Sequence, residues 1–310
     1  MLEIPEVGLR LSVNNHNVDS EVLCDWIESS VLFVDEIVSF SDIIDRLCEA
    51  NIYQQQAFAA EIVEAVWGEI QRRQQWIGKS AAISIEKNCI QRKLSWDQVP
   101  AHSFCMAVTA GSYFKRWARQ FGSDYTEQGE LFELLTMNAL EALGWHVYRT
   151  GWGRGSQVDN FQAIVTSVAD CLSETIINEM TVSLYDEAKD EGLDLVCYMP
   201  FSDSRGGKPV YLMQCASGEN WKSKCQSPNL DIWKRLITFS SDPQRAFAMP
   251  FALPDDAFFR ACNRVNGMVI DRYRLLSAGK NDPDWMPSEL KTRLVTWLKP
   301  RIESLPRDDI

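Results

Sequence analysis

Histidine is scarce in this chain, with three residues in 310, at positions 16, 102 and 146. None stands at zinc-ligand spacing from a cysteine, and the nine cysteines contain no Cys-x-x-Cys pair. That pattern excludes the common zinc modules. The odd cysteine count and irregular spacing argue against a disulfide framework and predict buried, reduced thiols. No apolar run approaches the ~20 residues that cross a bilayer. The start, MLEIPEVGLRLSVNNHNVDS, lacks the basic-then-apolar layout of a secretory signal. Internal repeats and low-complexity stretches are also missing. These absences predict a cytoplasmic protein with no membrane partner.

What is present is unevenly distributed. The net charge of −12 would argue against a nucleic-acid partner if it were spread evenly. Residues 1–70 hold fourteen acids and two bases, which accounts for the whole imbalance, while the other 240 residues carry 29 of each sign. Between Arg205 and Arg235 six bases face only Glu219 and Asp231. A solvated face is the plain reading of that basic cluster. The acidic segment suits a basic protein partner or a guard against loose nucleic-acid binding.

Apolar spacing divides the chain near residue 125. Before it, VDSEVLCDWIESSVLFV, SFSDIIDRLCEANI and QQQAFAAEIVEAVWGEIQRRQQWI carry helical periods. Phe58, Ile62, Val66 and Ile70 form the expected stripe of the third, and Ser41 is the expected N-cap of the second. A fourth helix is expected around Pro100. Residues 1–125 thus read as an all-helical domain, a scaffold or partner-binding module. Residues 126–310 read as α/β. Thr126 opens a helix that Gly144 ends, WHVYRT is a strand, and a long helix is expected over 160–187. LDLVCYMP and PVYLMQCAS are a strand pair joined by a Gly-rich turn. A helix opened by Ser227 or Asn229 and the strand QRAFAMPFAL follow.

Two polar residues interrupt those apolar strands. Alternation puts Asp194 opposite in direction to Leu193 and Leu195, and puts Gln214 on one face with Ala216. If the strands are neighbours, Asp194 and Gln214 meet. The preceding helix supplies Glu130 and Glu133. Hard oxygen donors of this kind suit Mg²⁺ with water and phosphate, and Lys222 and Lys224 lie just downstream.

Phe132-Glu133, Gly144-Trp145, Asp190-Glu-Gly-Leu-Asp194 and Gln214-Cys-Ala216 occur in that order. This order resembles the PD-(D/E)xK restriction-endonuclease-like nucleases, and within them the Mrr-type branch. The resemblance covers roughly residues 126–253 and none of the N-terminal part. It implies an α-β-β-β-α-β core and Mg²⁺-dependent, or Mn²⁺-supported, endonucleolytic hydrolysis of DNA or RNA. A prokaryotic restriction or anti-phage setting goes with it. Glu133 and Asp194 would hold the metal, with Gln214 helping to orient it. The family's lysine should stand at position 216, where this chain has alanine. Lys224 or Lys222 could reach back from the next turn, since Gly218 permits a sharp bend. Otherwise the chain is a catalytically inactive nuclease fold that binds nucleic acid or a partner protein. A homo-oligomer is compatible with either reading.

Two other motifs point elsewhere. GWGRGS at 151–156 alternates glycines but lacks dinucleotide-loop spacing and a later acidic residue, so it reads as a loop near phosphate. QCASG with His146 has the look of a cysteine nucleophile and base, but in the wrong order and with the cysteine facing the core.

Overall fold

A computed structural model describes the chain at residues 1–9, 11, 17–150, 161–177, 191–280, 282 and 284–308. GWGRGS, Asp190 and, from the segment expected as a long helix over 160–187, residues 160 and 178–187 lie outside the described residues. Two compact units divide the chain: Met1–Asp124 with Pro250–Ala252 and Arg272–Ile310, and Tyr125–Met249 with Leu253–Asp271. The boundary near residue 125 agrees with the change of sequence texture. Residues 272–310, read above as part of the second domain, belong instead with the N-terminal unit.

In the first unit, α1 (Ser20–Phe33) starts where the Asp19 side chain accepts from the amides of Glu21 and Val22. It is buried from Val22 onward, so it is the central helix of this unit. Helix α2 (Phe40–Glu49) begins with a capping box: Asp42 N–H donates to Ser39 Oγ, and Ser39 N–H donates to Asp42 Oδ2. Ser39, not Ser41, is therefore the cap. Helix α3 (Gln56–Ile77) buries Ala59, Val63, Val66, Ile70 and Ile77. Of the expected stripe Val66 and Ile70 are buried and Ile62 is half-buried, but Phe58 is exposed and Ala59 and Val63 take the buried side at the start of the helix. The unit is not all-helical. Strands β1 (Ile37–Ser39), β2 (Ile83–Glu86) and β3 (Cys89–Arg92) make an antiparallel sheet in the order β1-β3-β2. Each strand has three or four residues, too short to compete with the helical signal around it, and Lys87 turns the hairpin at positive φ. Helices α4 (Pro100–Tyr113) and α5 (Lys115–Arg119) follow.

The second unit opens with α6 (Thr126–Ala142) and β4 (His146–Arg149), separated by Gly144 at φ +92°. Helix α7 (Phe161–Leu172) ends well short of residue 187, and the short β5 (Thr175–Ile176) follows. Strands β6 (Leu195–Tyr198) and β7 (Val210–Cys215) lead to α8 (Leu230–Leu236), whose N-cap is Asn229. Then come β8 (Ile237–Thr238), β9 (Gln244–Ala248), α9 (Asp255–Val265) and β10 (Gly267–Ile270). One mixed five-stranded sheet has the order β10-β9-β7-β6-β4. The β4-β6-β7 meander is antiparallel, and β9 runs parallel to β7, with α8 in the crossover. Phe161, Val165, Val168, Leu193, Val196, Leu212 and Trp233 fill the core between α7, α8 and the sheet.

The chain then returns to the first unit with α10 (Arg272–Leu276) and α11 (Ser288–Glu303). Arg272 is fully buried beside Asp25, with Nη1 2.7 Å from Oδ1. Arg73 reaches Asp25 Oδ1 at 3.1 Å and Glu28 Oε2 at 2.9 Å. Tyr113 donates to Asp25 and Tyr273 to Glu28, which completes a buried network of two carboxylates and two guanidinium groups. The guanidinium groups hold the Asp25 carboxyl below its usual range against the opposing effect of burial.

Candidate active site

Asp194 stands just before β6, behind a turn in which Glu191 (φ 49°) and Gly192 (φ 71°) are both left-handed. The main chain fixes it on both sides. Its N–H donates to Met213 O at 3.0 Å, and its carbonyl accepts from Thr150 N at 2.9 Å. Leu195 pairs with Met213, and one step back along the antiparallel ladder Asp194 faces Gln214. The two side chains meet as the alternation predicted. Asp194 Oδ2 accepts from Gln214 Nε2 and, at 2.6 Å, from the Cys215 backbone amide. Asp194 is 6% and Gln214 8% exposed, so these bonds compensate polar groups taken out of water.

Gln214 is more constrained than the sequence suggests. Its Nε2 also donates to Cys215 O at 3.0 Å. Both neighbours of that nitrogen are acceptors, which assigns the NH₂ to this side. Its oxygen faces Gly192, where an added Cβ would lie 3.1 Å from Oε1. Gln214 therefore holds Asp194 in place and does not offer its oxygen alongside that carboxylate.

Glu133 comes from the inner face of α6 and is 8% exposed. Arg149, at the end of β4, donates from Nε to Glu133 Oε2 at 2.8 Å, and its Nη1 lies 3.9 Å from Glu130 Oε1. Asp194 and Glu133 both act on the Cys215 thiol. Burial pushes its pKa well above the usual value, and the two carboxylates push it further. The structure thus brings Glu133, Asp194 and Gln214 to one end of the meander. The same electrostatics remove the nucleophilic-cysteine reading, because a reactive cysteine needs a lowered pKa. His146 is exposed and stacks edge-on with Tyr198.

The two candidate lysines lie in the turn that follows β7. Ala216 is buried and donates its N–H to Ala248 O. The chain then makes a 3₁₀ turn over Glu219–Lys224, with Trp221 buried against Phe247 at a 6.2 Å ring separation. Trp221 anchors the turn inward. Lys222 and Lys224 are both exposed, and the Lys222 ammonium lies 5.6 Å from the Trp221 ring centroid. Glu219 is on the exposed side of the same turn.

Sequence reading missed Arg149 and Gln128. Arg149 shares a strand face with Val147, and its position two residues before the end of WHVYRTG is the available signal. Gln128 Nε2 donates to both the carbonyl and the hydroxyl of Ser217 at 3.2 Å, tying the start of α6 to the segment after β7. Among the described residues, no group of three His, Cys, Asp or Glu side chains converges as a cation cage. Two carboxylates nevertheless suit Mg²⁺, which keeps several waters and takes one or two protein carboxylates together with substrate phosphate. Comparison with protein-family profiles, curated proteins and solved structures returned no match.

Proposed function

We propose that the second unit is a Mg²⁺-dependent nuclease of the PD-(D/E)xK type, cleaving phosphodiester bonds in DNA or RNA. The observation that carries this reading is the pair of buried carboxylates, Glu133 from α6 and Asp194 from the start of β6, both close enough to raise the Cys215 thiol. The order α6, β4, β6, β7, α8, β9, with an antiparallel meander and a parallel fourth strand, supports it. With α7, β5 and β8 interposed, that order is compatible with the α-β-β-β-α-β core implied by the resemblance.

In this reading Glu133 and Asp194 hold the metal, and Gln214 and the Cys215 amide fix the carboxylate of Asp194. A bound Mg²⁺ would polarise the scissile phosphoryl group and make a water nucleophilic at neutral pH. Arg149 orients Glu133 through its Nε bond. Lys224, with Lys222 beside it, supplies the ammonium that alanine at 216 cannot, from an exposed turn open to a phosphate backbone. A restriction or anti-phage role, DNA as the main substrate, and a basic protein partner for the acidic segment belong to the same proposal.

One observation favours a second reading, a binding protein without catalysis: Gln214 is turned into Asp194, and both lysines are exposed. Incubating the full chain with labelled DNA and RNA, with Mg²⁺ and with chelator, separates the two. Cleavage that requires the metal supports the nuclease. Retention of nucleic acid without strand breaks under both conditions supports the binding protein.

A further inference from the structure

Beyond the carboxylates, the second unit carries cations whose placement is fixed by contacts. Ser227 packs against Gly192, where an added Cβ would lie 2.8 Å from Ser227 Cβ and 3.1 Å from Gln214 Oε1. The turn that holds Lys222 and Lys224 therefore ends against the corner occupied by Asp194 and Gln214. From there the chain is tied to α9. Gln226 donates from Nε2 to the carbonyl of Arg264, in the last turn of that helix. Arg245 clamps both sides, with Nη1 3.3 Å from Gln226 Oε1 and 2.8 Å from Val265 O, and Nε 3.0 Å from Pro228 O.

These contacts gather three cations. Lys222, Lys224 and Arg264 are exposed, and among the described residues none of them is paired with a carboxylate. Burial raises the pKa of the Cys225 thiol, and the charges of Arg264 and Lys222 oppose that rise, so both cations act on the same point. A cation at a helix C-terminus complements the dipole, which accounts for Arg264 taken alone. It does not account for what stands next to it. Helix α9 buries only Ala261 and Val265, and it presents Phe259 outward at 68% exposure, the most exposed large apolar side chain among the described residues. Phe259 and Arg264 are about 7.5 Å apart along the axis at 1.5 Å per residue. The acids of α9, Asp255 and Asp256, are in its first turn, away from Arg264, and Asp256 pairs with Arg260 at 2.7 Å. Cations beside an open aromatic ring suit a single strand of nucleic acid, which offers both phosphates and unstacked bases. A duplex keeps its bases inside.

We propose that Lys222, Lys224 and Arg264 form a phosphate track leading away from the Asp194 corner, and that Phe259 stacks a base at its far end, so that the second unit binds single-stranded DNA or RNA. This inference rests on the nucleic-acid part of the reading above and not on cleavage.

Fluorescence anisotropy of the full chain with labelled oligothymidylate, oligouridylate and a duplex, all in chelator, reads binding without strand breaks. The single strands should bind more tightly than the duplex, and the tighter of the two identifies the sugar. Phe259→Ala should weaken single-strand binding about tenfold and leave duplex binding unchanged. Phe259→Tyr should retain the affinity and Phe259→Leu should not, since stacking needs a ring. Lys224→Ala and Arg264→Ala should each weaken binding of both forms and lower the salt slope for single strands by about 0.7. Unchanged single-strand affinity in Phe259→Ala, or a duplex that binds as tightly as the single strands, overturns the proposal and leaves the nuclease reading standing. Equal binding of a polyglutamate peptide, insensitive to Phe259, assigns the surface to an acidic protein and also overturns it. Single-strand binding with these dependences but no cleavage in Mg²⁺ supports the proposal and overturns the nuclease reading alone.

Discussion

At Asp194, one carboxylate oxygen receives two N–H donors from the neighbouring strand, and one of them is the Gln214 amide. Replacing that amide by a carboxylate, Gln214→Glu, puts two like charges in contact where both are buried. One of them must then keep its proton, so the pair's pKa rises in the folded state. The folded chain binds more protons than the unfolded one above the ordinary carboxylate range, and stability falls as pH rises. Urea midpoints should show Gln214→Glu less stable than wild type by a few kcal/mol at pH 8, with a smaller gap at pH 5. An equal gap at both pH values would mean that the contact is not what this geometry describes. His102 has the opposite sign. Its pKa drops from 6.5 to about 3 under the desolvation of burial, with Arg272 and Arg73 lowering it and Asp25 opposing. The unfolded chain takes up a proton that the folded chain refuses, so this contribution is full above pH 6.5 and is lost as pH falls toward 3. The slope is at most about 1.4 kcal/mol per pH unit. His102→Gln should remove it, and the stability difference between variant and wild type should change between pH 7 and pH 5. At this scale Asp194 and Gln214 were legible because strand alternation is strict. The direction of the Gln214 amide was not, because it depends on which neighbours are acceptors after the strands pair.

Among the elements, the turn into β6 is the most demanding. Gly192 has φ +71°, and a Cβ there would lie 2.8 Å from Ser227 Cβ and 3.1 Å from Gln214 Oε1. Gly192→Ala therefore meets backbone strain and two contacts at once, and should cost about 1–3 kcal/mol by denaturant unfolding. It should also lower any activity of the site, since Gln214 is the side chain displaced. Wild-type stability in this variant would show that the turn adapts freely. Helix α6, helix α8 and the β6–β7 pair follow from apolar period and turn residues, whereas the helix expected over 160–187 ends at Leu172 and gives way to β5. The β1–β3 sheet did not follow from them, because its strands are short and lie among strong helical signals, and β1 is held by pairing with β3, distant in sequence. Past the end of the expected α3 stripe, Arg73 and Gln74 are also buried, since Asp25 and Glu28 of α1 bond to them.

For the molecule as a whole, the −12 of residues 1–70 is not all surface charge. Asp25 and Glu28 are internal and compensated by Arg73 and by Arg272, which lies 247 residues from Asp25. That pairing explains why the C-terminal residues belong to the first unit and why composition could not reveal it: a charge partner so distant leaves no local pattern. Arg272→Ala removes one of the two guanidinium groups on Asp25 and the one bonded to Thr109. It should destabilise the first unit by about 3–5 kcal/mol, read as a lowered urea midpoint or as insoluble expression. A change under 1 kcal/mol would mean that water compensates the network and that the unit does not depend on it.

The central claim is that Glu133 and Asp194 together form a metal-dependent phosphodiesterase site. The most direct measurement is strand cleavage of DNA and RNA by the full chain with Mg²⁺ or Mn²⁺, set beside Asp194→Asn and Glu133→Gln, each checked for folding by circular dichroism. The account predicts cleavage by wild type that stops with chelator and falls at least about a hundredfold in either variant. Undiminished cleavage in a folded Asp194→Asn protein, or no cleavage by wild type with either metal on either substrate, would contradict it.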